Sequence, residues 1–133
     1  MLASLVFITV SFTGVHLHDI KQFSTKQIET LIETAVAVEG LPWGFEEVAA
    51  MRKLCWKESR FMSKEEHRRS TAYGLYQFLD STWRGTGIKK TSCPLMQTIA
   101  AVRYIKNRYK TPKKALAFFN APKIINGKKV HYY

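Results

Sequence analysis

The chain has 133 residues, 46% hydrophobic and 23% charged, an ordinary composition for one globular domain whose core needs no staples. Its charge is not ordinary: 21 Lys and Arg against 10 Asp and Glu give +11, and the excess is carried by residues 51–133, at +15, while residues 1–50 carry −4. That field favours a polyanion, nucleic acid or an anionic envelope polymer, if it does more than keep the chain soluble. Two cysteines, Cys55 and Cys93, have neither the count nor the spacing of a zinc site. They are either one disulfide of an exported protein or two unrelated thiols.

MLASLVFITVSFTGV opens the chain as an apolar run, short for a membrane span and suited to a secretory signal, although no basic residue precedes it. Residues 1–20 are read as this N-terminal segment, a signal or anchor or else a buried strand of chain, and residues 21–133 as the domain. Ser24 reads as an N-cap with Gln27 closing a capping box and Phe23 stapled to Ile28. The spacing of Ile28, Leu31, Ile32, Ala35 and Val38 predicts a helix that ends at Gly40 and Pro42. A second helix starts near Trp43–Glu46 and runs to about Phe61. Residues 62–73 lack a period and read as a loop. Asp80 reads as the N-cap of a short helix breaking at Gly85 and Gly87. Pro94 opens a helix with Leu95, Ile99, Val102, Ile105 and Tyr109 on its buried side, and Thr111-Pro112 opens another with Leu116 and Phe119 inward. An Asn-Gly turn near the C-terminus suggests a small hairpin. The fold class is therefore all-α, a single compact helical domain with at most that β element.

On the second helix Val48, Met51, Leu54 and Cys55 fall within about 80° of Glu58, with Lys53, Lys57 and Arg60 opposite. A carboxylate on an apolar stripe is disfavoured in its ionised form, so its pKa rises toward the range a general acid needs near neutral pH. The plainer alternative is a partly buried Glu paired with a Lys or Arg.

Three patches add to this: Glu58-Ser59 at a helix end, Gly74-Leu75-Tyr76-Gln77-Phe78 followed by Asp80-Ser81-Thr82-Trp83, and Ala115-Leu116-Ala117-Phe118-Phe119-Asn120-Ala121. With the intervening CPLMQTIAAVRYIKNRY, their order and spacing resemble the soluble lytic transglycosylase (SLT) domain of the lysozyme-like superfamily, over roughly residues 25–121. The resemblance implies cleavage of the β-1,4 bond between N-acetylmuramic acid and N-acetylglucosamine in peptidoglycan, with Glu58 as the single acid and base and a 1,6-anhydro product. It also implies substrate-binding roles for Ser59, Gly74, Gln77 and Asn120. Tyr73 and Tyr76 would offer faces for sugar rings, or else pack in the core. Glu65 and Glu66 sit in a run of charges and read as solvated. No cofactor and no metal ion is expected. The expected partner is the peptidoglycan glycan strand, with no obligate nucleic-acid or membrane partner, a monomeric state, and an extracytoplasmic or virion-borne location, as in a phage-type member.

This sequence departs from the family pattern in places. Phe119 stands where the family has a Tyr, whose hydroxyl Tyr132 or Tyr133 would have to supply. Tyr76 replaces the Met of Gly-Leu-Met-Gln, and the loop from Glu58 to Gln77 is about one residue longer. Hydrolysis on the same scaffold (a muramidase) and a basic, non-catalytic wall- or nucleic-acid-binding module are the alternatives.

Overall fold

The computed structural model describes residues 16–130; the apolar run 1–15 and Tyr132 and Tyr133 lie outside them. A short 3₁₀ turn, Leu17–Asp19, precedes five helices: α1 (Thr25–Val38), α2 (Phe45–Ser59), α3 (Asp80–Thr86), α4 (Pro94–Tyr109) and α5 (Pro112–Asn120). A two-stranded antiparallel hairpin, β1 (Lys123–Ile125) and β2 (Lys128–Val130), follows. The fold is all-α with one small β element, as the periodicity indicates.

Local chemistry sets the helix ends. Ser24 Oγ accepts from the Gln27 N–H at 3.1 Å while Gln27 Oε1 accepts from the Ser24 N–H at 2.8 Å, a closed capping box. Phe23 and Ile28 are both buried across it. At the other end of α1, the Leu41 N–H reaches the Val36 carbonyl and the Gly40 N–H the Ala37 carbonyl, with Gly40 at φ 63°. That is a Schellman stop, which favours a residue without a Cβ. Pro94 and Pro112 each sit in the first turn of their helices, where a missing N–H costs nothing.

α4 lies at the centre: it packs on α1, α3 and α5, while α2 packs on α1 and α5. Ile28, Leu31 and Ile32 of α1, Met51 and Cys55 of α2, and Val102 of α4 are essentially sealed from solvent. Truncating one of the larger of these to Ala would cost about 2–5 kcal/mol. An aromatic row follows α4, from Trp83 through Phe78, Tyr104 and Tyr109 to Phe119, with centroids 5.0–6.2 Å apart. Arg103 of α4 binds Glu39 at 2.6 Å and the Thr86 carbonyl at 2.9 Å, tying the ends of α1 and α3 together.

Two expectations are corrected. Asp80 is not the N-cap of α3: Leu79 holds that place, and the Asp80 carboxylate instead pairs with Lys90 at 2.9 Å. Val38 points outward, and Val36 takes the inward position. Leu17 and Ile20 pack against the core. Cys55 and Cys93 are both free thiols, Cys55 buried.

Candidate active site

Val48, Met51, Leu54 and Cys55 are buried as the helical stripe requires. Glu58 continues that stripe in the last turn of α2, where it opens onto a groove, and its side chain is half-buried rather than enclosed. The next two residues turn the chain sharply. Arg60 and Phe61 both adopt left-handed backbone, φ 55° and 67°, a conformation costing roughly 1–2 kcal/mol per residue with a Cβ. The incoming segment pins this turn. The Phe23 N–H donates to the Phe61 carbonyl at 3.0 Å and Gln22 Nε2 to the Arg60 carbonyl at 2.9 Å. Strain of this kind persists only where the surroundings over-determine it.

The groove measures about 760 Å³. Glu58 and Gln77 line it together with Glu65 and Glu66 and the basic run His67, Arg68 and Arg69. Gln77 also holds left-handed backbone, φ 52°. Its Nε2 donates to the carbonyls of Glu65 at 3.0 Å and Gly74 at 2.9 Å. Both amide hydrogens are thereby committed, and Oε1 is the part left to meet a ligand. Single β-bridges from Glu66 to Tyr73 and from Tyr73 to Phe78 close the loop on itself, so it has more structure than its lack of period suggests.

Gly74 explains its own glycine. It has φ 88°, and a Cβ there would fall 2.6 Å from Gln97 Nε2. Gln97, in α4, is the clamp that the sequence reading left unassigned. Sealed from solvent, it accepts from the Leu75 N–H at 3.0 Å and donates to the carbonyls of Ser63 at 2.8 Å and Thr91 at 2.9 Å. One amide thus fixes three loop segments behind the groove. An amide on the buried side of α4, among Pro94, Thr98 and Ala101, was the available signal, since a buried polar group must find partners.

The other site candidates divide. Ser59 is buried, and its Oγ donates back to the Cys55 carbonyl at 3.2 Å. Tyr73 is half-buried with Lys90 Nζ 5.5 Å from its ring centroid. Tyr76 lies inside the core beside the Cys55 thiol and Thr98, without a well-formed hydrogen bond among the described residues. It offers no face to a sugar. Burial pushes its phenol well up, and pushes the Cys55 thiol up to about 12. Asn120 is not brought to the Glu58 groove. Its Oδ1 accepts from Lys57 Nζ at 2.7 Å, beside a separate hollow. Glu66 is exposed and Glu65 half-buried, near the solvated state expected of them, and both line the groove. Among the described residues no cluster of His, Cys, Asp or Glu is arranged to hold a metal ion, and no helix is long and apolar enough to cross a membrane.

The family model of the transglycosylase SLT domain matches residues 46–129, from the first turn of α2 into the hairpin. The chain belongs to this family. No curated protein and no solved structure matches it. The SLT match spans every element that lines the Glu58 groove, and it supports a transglycosylase-type enzyme of the lysozyme-like superfamily acting on peptidoglycan.

Proposed function

We propose that the protein is a peptidoglycan lytic transglycosylase with Glu58 as its only acid and base. The observation that carries this is that Glu58 and Gln77, drawn from two separate motifs of the SLT family, line the same groove. In the first step Glu58 gives its proton to the glycosidic oxygen as the C1–O bond to the muramoyl ring breaks, releasing the N-acetylglucosamine hydroxyl. In the second, the Glu58 carboxylate takes the proton of the muramoyl C6 hydroxyl while that oxygen bonds to C1, closing the 1,6-anhydro ring and restoring the acid. No water, metal ion or cofactor enters. Gln77 Oε1 would accept a hydrogen bond from the sugar, and the pinned backbone at residues 60–61 and 74–77 would hold both groups in register.

A glycan strand long enough to reach both sides of the scissile bond is the substrate. The protein would act as a monomer on the extracytoplasmic side of the membrane or from a virion, with residues 1–20 as the delivering segment, its end at Leu17 and Ile20 docked on the core, and residues 21–133 as the catalytic domain. Gly74 and Ser59 serve the site through the backbone, and Tyr73 flanks it.

A muramidase-type hydrolysis is the second reading, favoured by the presence of Glu65 and Glu66 in the same groove. Paired carboxylates are what an inverting or retaining glycosidase uses. Digestion of purified sacculi with mass analysis of the products separates the two. Anhydromuramoyl ends are expected, and reducing ends would hand the reaction to water. Glu58→Gln should abolish lysis with an unchanged melting curve; residual turnover above about one per cent, a loss of less than the 10²-fold typical of a positioned acid–base group, would remove Glu58 from the chemistry.

A further inference from the structure

A second surface of α2 carries an aromatic platform ringed by cations. Trp56 lies about 200° round the helix from Glu58, so the two face apart. Trp56 is 40% exposed, so part of its ring is open to a ligand. Phe61 packs on it in a T-shaped arrangement with ring centroids 4.9 Å apart, and the Arg60 guanidinium lies over the ring, 4.8 Å from its centroid. Beside it opens a hollow of about 430 Å³, bounded by Arg52, Lys53 and Lys57 and by Leu116 and Asn120 of α5. No carboxylate lines it, and the nearby Glu29 is engaged with Arg52 at 3.4 Å. Lys57 Nζ occupies the Asn120 oxygen, which leaves the amide N–H groups of Asn120 as donors.

We propose that this hollow is a second glycan-binding site, which holds an anionic amino-sugar strand adjacent to the one being cut. The C–H face of a pyranose is apolar and weakly positive, and it suits the face of the indole that the Arg60 guanidinium leaves uncovered. Of the flanking cations Lys53 answers the lactyl and peptide carboxylates of muramoyl residues, Arg52 and Lys57, held by Glu29 and Asn120, add to the positive field around it, and the Asn120 amide answers an acetamido oxygen. The Glu58 groove, by contrast, mixes acids with bases. Because the platform and Glu58 lie on opposite sides of α2, one straight strand does not reach both. The site therefore keeps the protein on an insoluble wall without taking part in bond cleavage. The identity of the occupant rests on the peptidoglycan reading above.

The test is cosedimentation of the Glu58→Gln protein with purified sacculi, alone and with Trp56→Ala or Lys53→Glu added. In parallel, wild type, Trp56→Ala and Lys53→Glu are compared for turnover on short soluble glycan fragments. Each substitution is expected to weaken sacculus binding at least about five-fold, the scale of an interface anchor, with the soluble turnover of Lys53→Glu unchanged. Amidating the sacculus carboxylates should reproduce the loss, and Lys53→Glu should then add nothing. Lys53 is an exposed helix position, so its variant folds even if the Trp56 variant does not. Unchanged binding by Lys53→Glu overturns the proposal, as does loss of soluble turnover equal to the loss of binding, or preference for duplex DNA over sacculi. A wild type that cuts no glycan would instead sink the transglycosylase reading, and the sedimentation comparison would still report on the second site.

Discussion

Replacing Gly74 by Ala should destabilise the protein by about 3–6 kcal/mol, and the figure can be built from two separable parts. The backbone part comes from φ 88°, which a residue bearing a Cβ adopts at a cost of about 1–2 kcal/mol. The packing part comes from the new methyl, placed 2.6 Å from Gln97 Nε2 and 2.7 Å from its Cδ. No Cβ tolerates such contacts, so the amide must move. Its bonds to Leu75, Ser63 and Thr91 run 2.8–3.0 Å, and each buried group left unpaired costs about 1–3 kcal/mol. Breaking one or two of them gives about 2–4 kcal/mol. Urea unfolding followed by circular dichroism measures the total, and a double-mutant cycle with Gln97→Ala separates the parts. In the Gln97→Ala background, Gly74→Ala should cost only the backbone part, leaving a coupling of about 2–4 kcal/mol. A loss below about 1 kcal/mol, or a cycle without coupling, would refute the claim that this glycine exists to admit the Gln97 amide.

Asp80→Ala should cost no more than about 0.5 kcal/mol, and less in high salt, because Asp80 forms an exposed ion pair and not a helix cap. Ser24→Ala should cost about 1 kcal/mol in the same denaturation assay, since it opens a capping box whose two arms are both formed. Stability should decline with pH above the ordinary thiol value of 9.0, because burial holds the Cys55 thiol up at about 12. Over that window the unfolded chain has released this proton and the folded chain has not, so each pH unit removes up to about 1.4 kcal/mol. Tyr76 acts in the same direction above the ordinary phenol value of 10.0. Cys55→Ala should flatten the slope just above pH 9.0, and an unaltered slope would show that the thiol is not the source. With both cysteines present, alkylation of the native protein should mark half-exposed Cys93 before buried Cys55.

Periodic and local features were legible in the sequence because their causes are local. The capping box at Ser24, the stripe beneath Glu58, the prolines opening α4 and α5, and the Asn126-Gly127 turn each follow from residues a few positions apart. That turn has both central residues at positive φ, 53° and 77°, as a tight hairpin demands. What was illegible depends on partners far along the chain. Asp80 has the chemistry of a cap, and only the approach of Lys90 and of Thr71, whose Oγ1 accepts the Asp80 N–H at 3.0 Å, assigns it elsewhere. Tyr76 stands in a motif that contacts sugar in the family, yet the left-handed turn at Gln77 aims the amide outward and leaves the preceding ring in the core. The same logic governs Asn120. Lys57 precedes Glu58 by one residue, a step of about 100° round the helix. Asn120, bonded to Lys57, accordingly lines a different hollow from the groove that Glu58 lines. The helix angle between neighbouring residues, and not their closeness in sequence, decides which groups share a site.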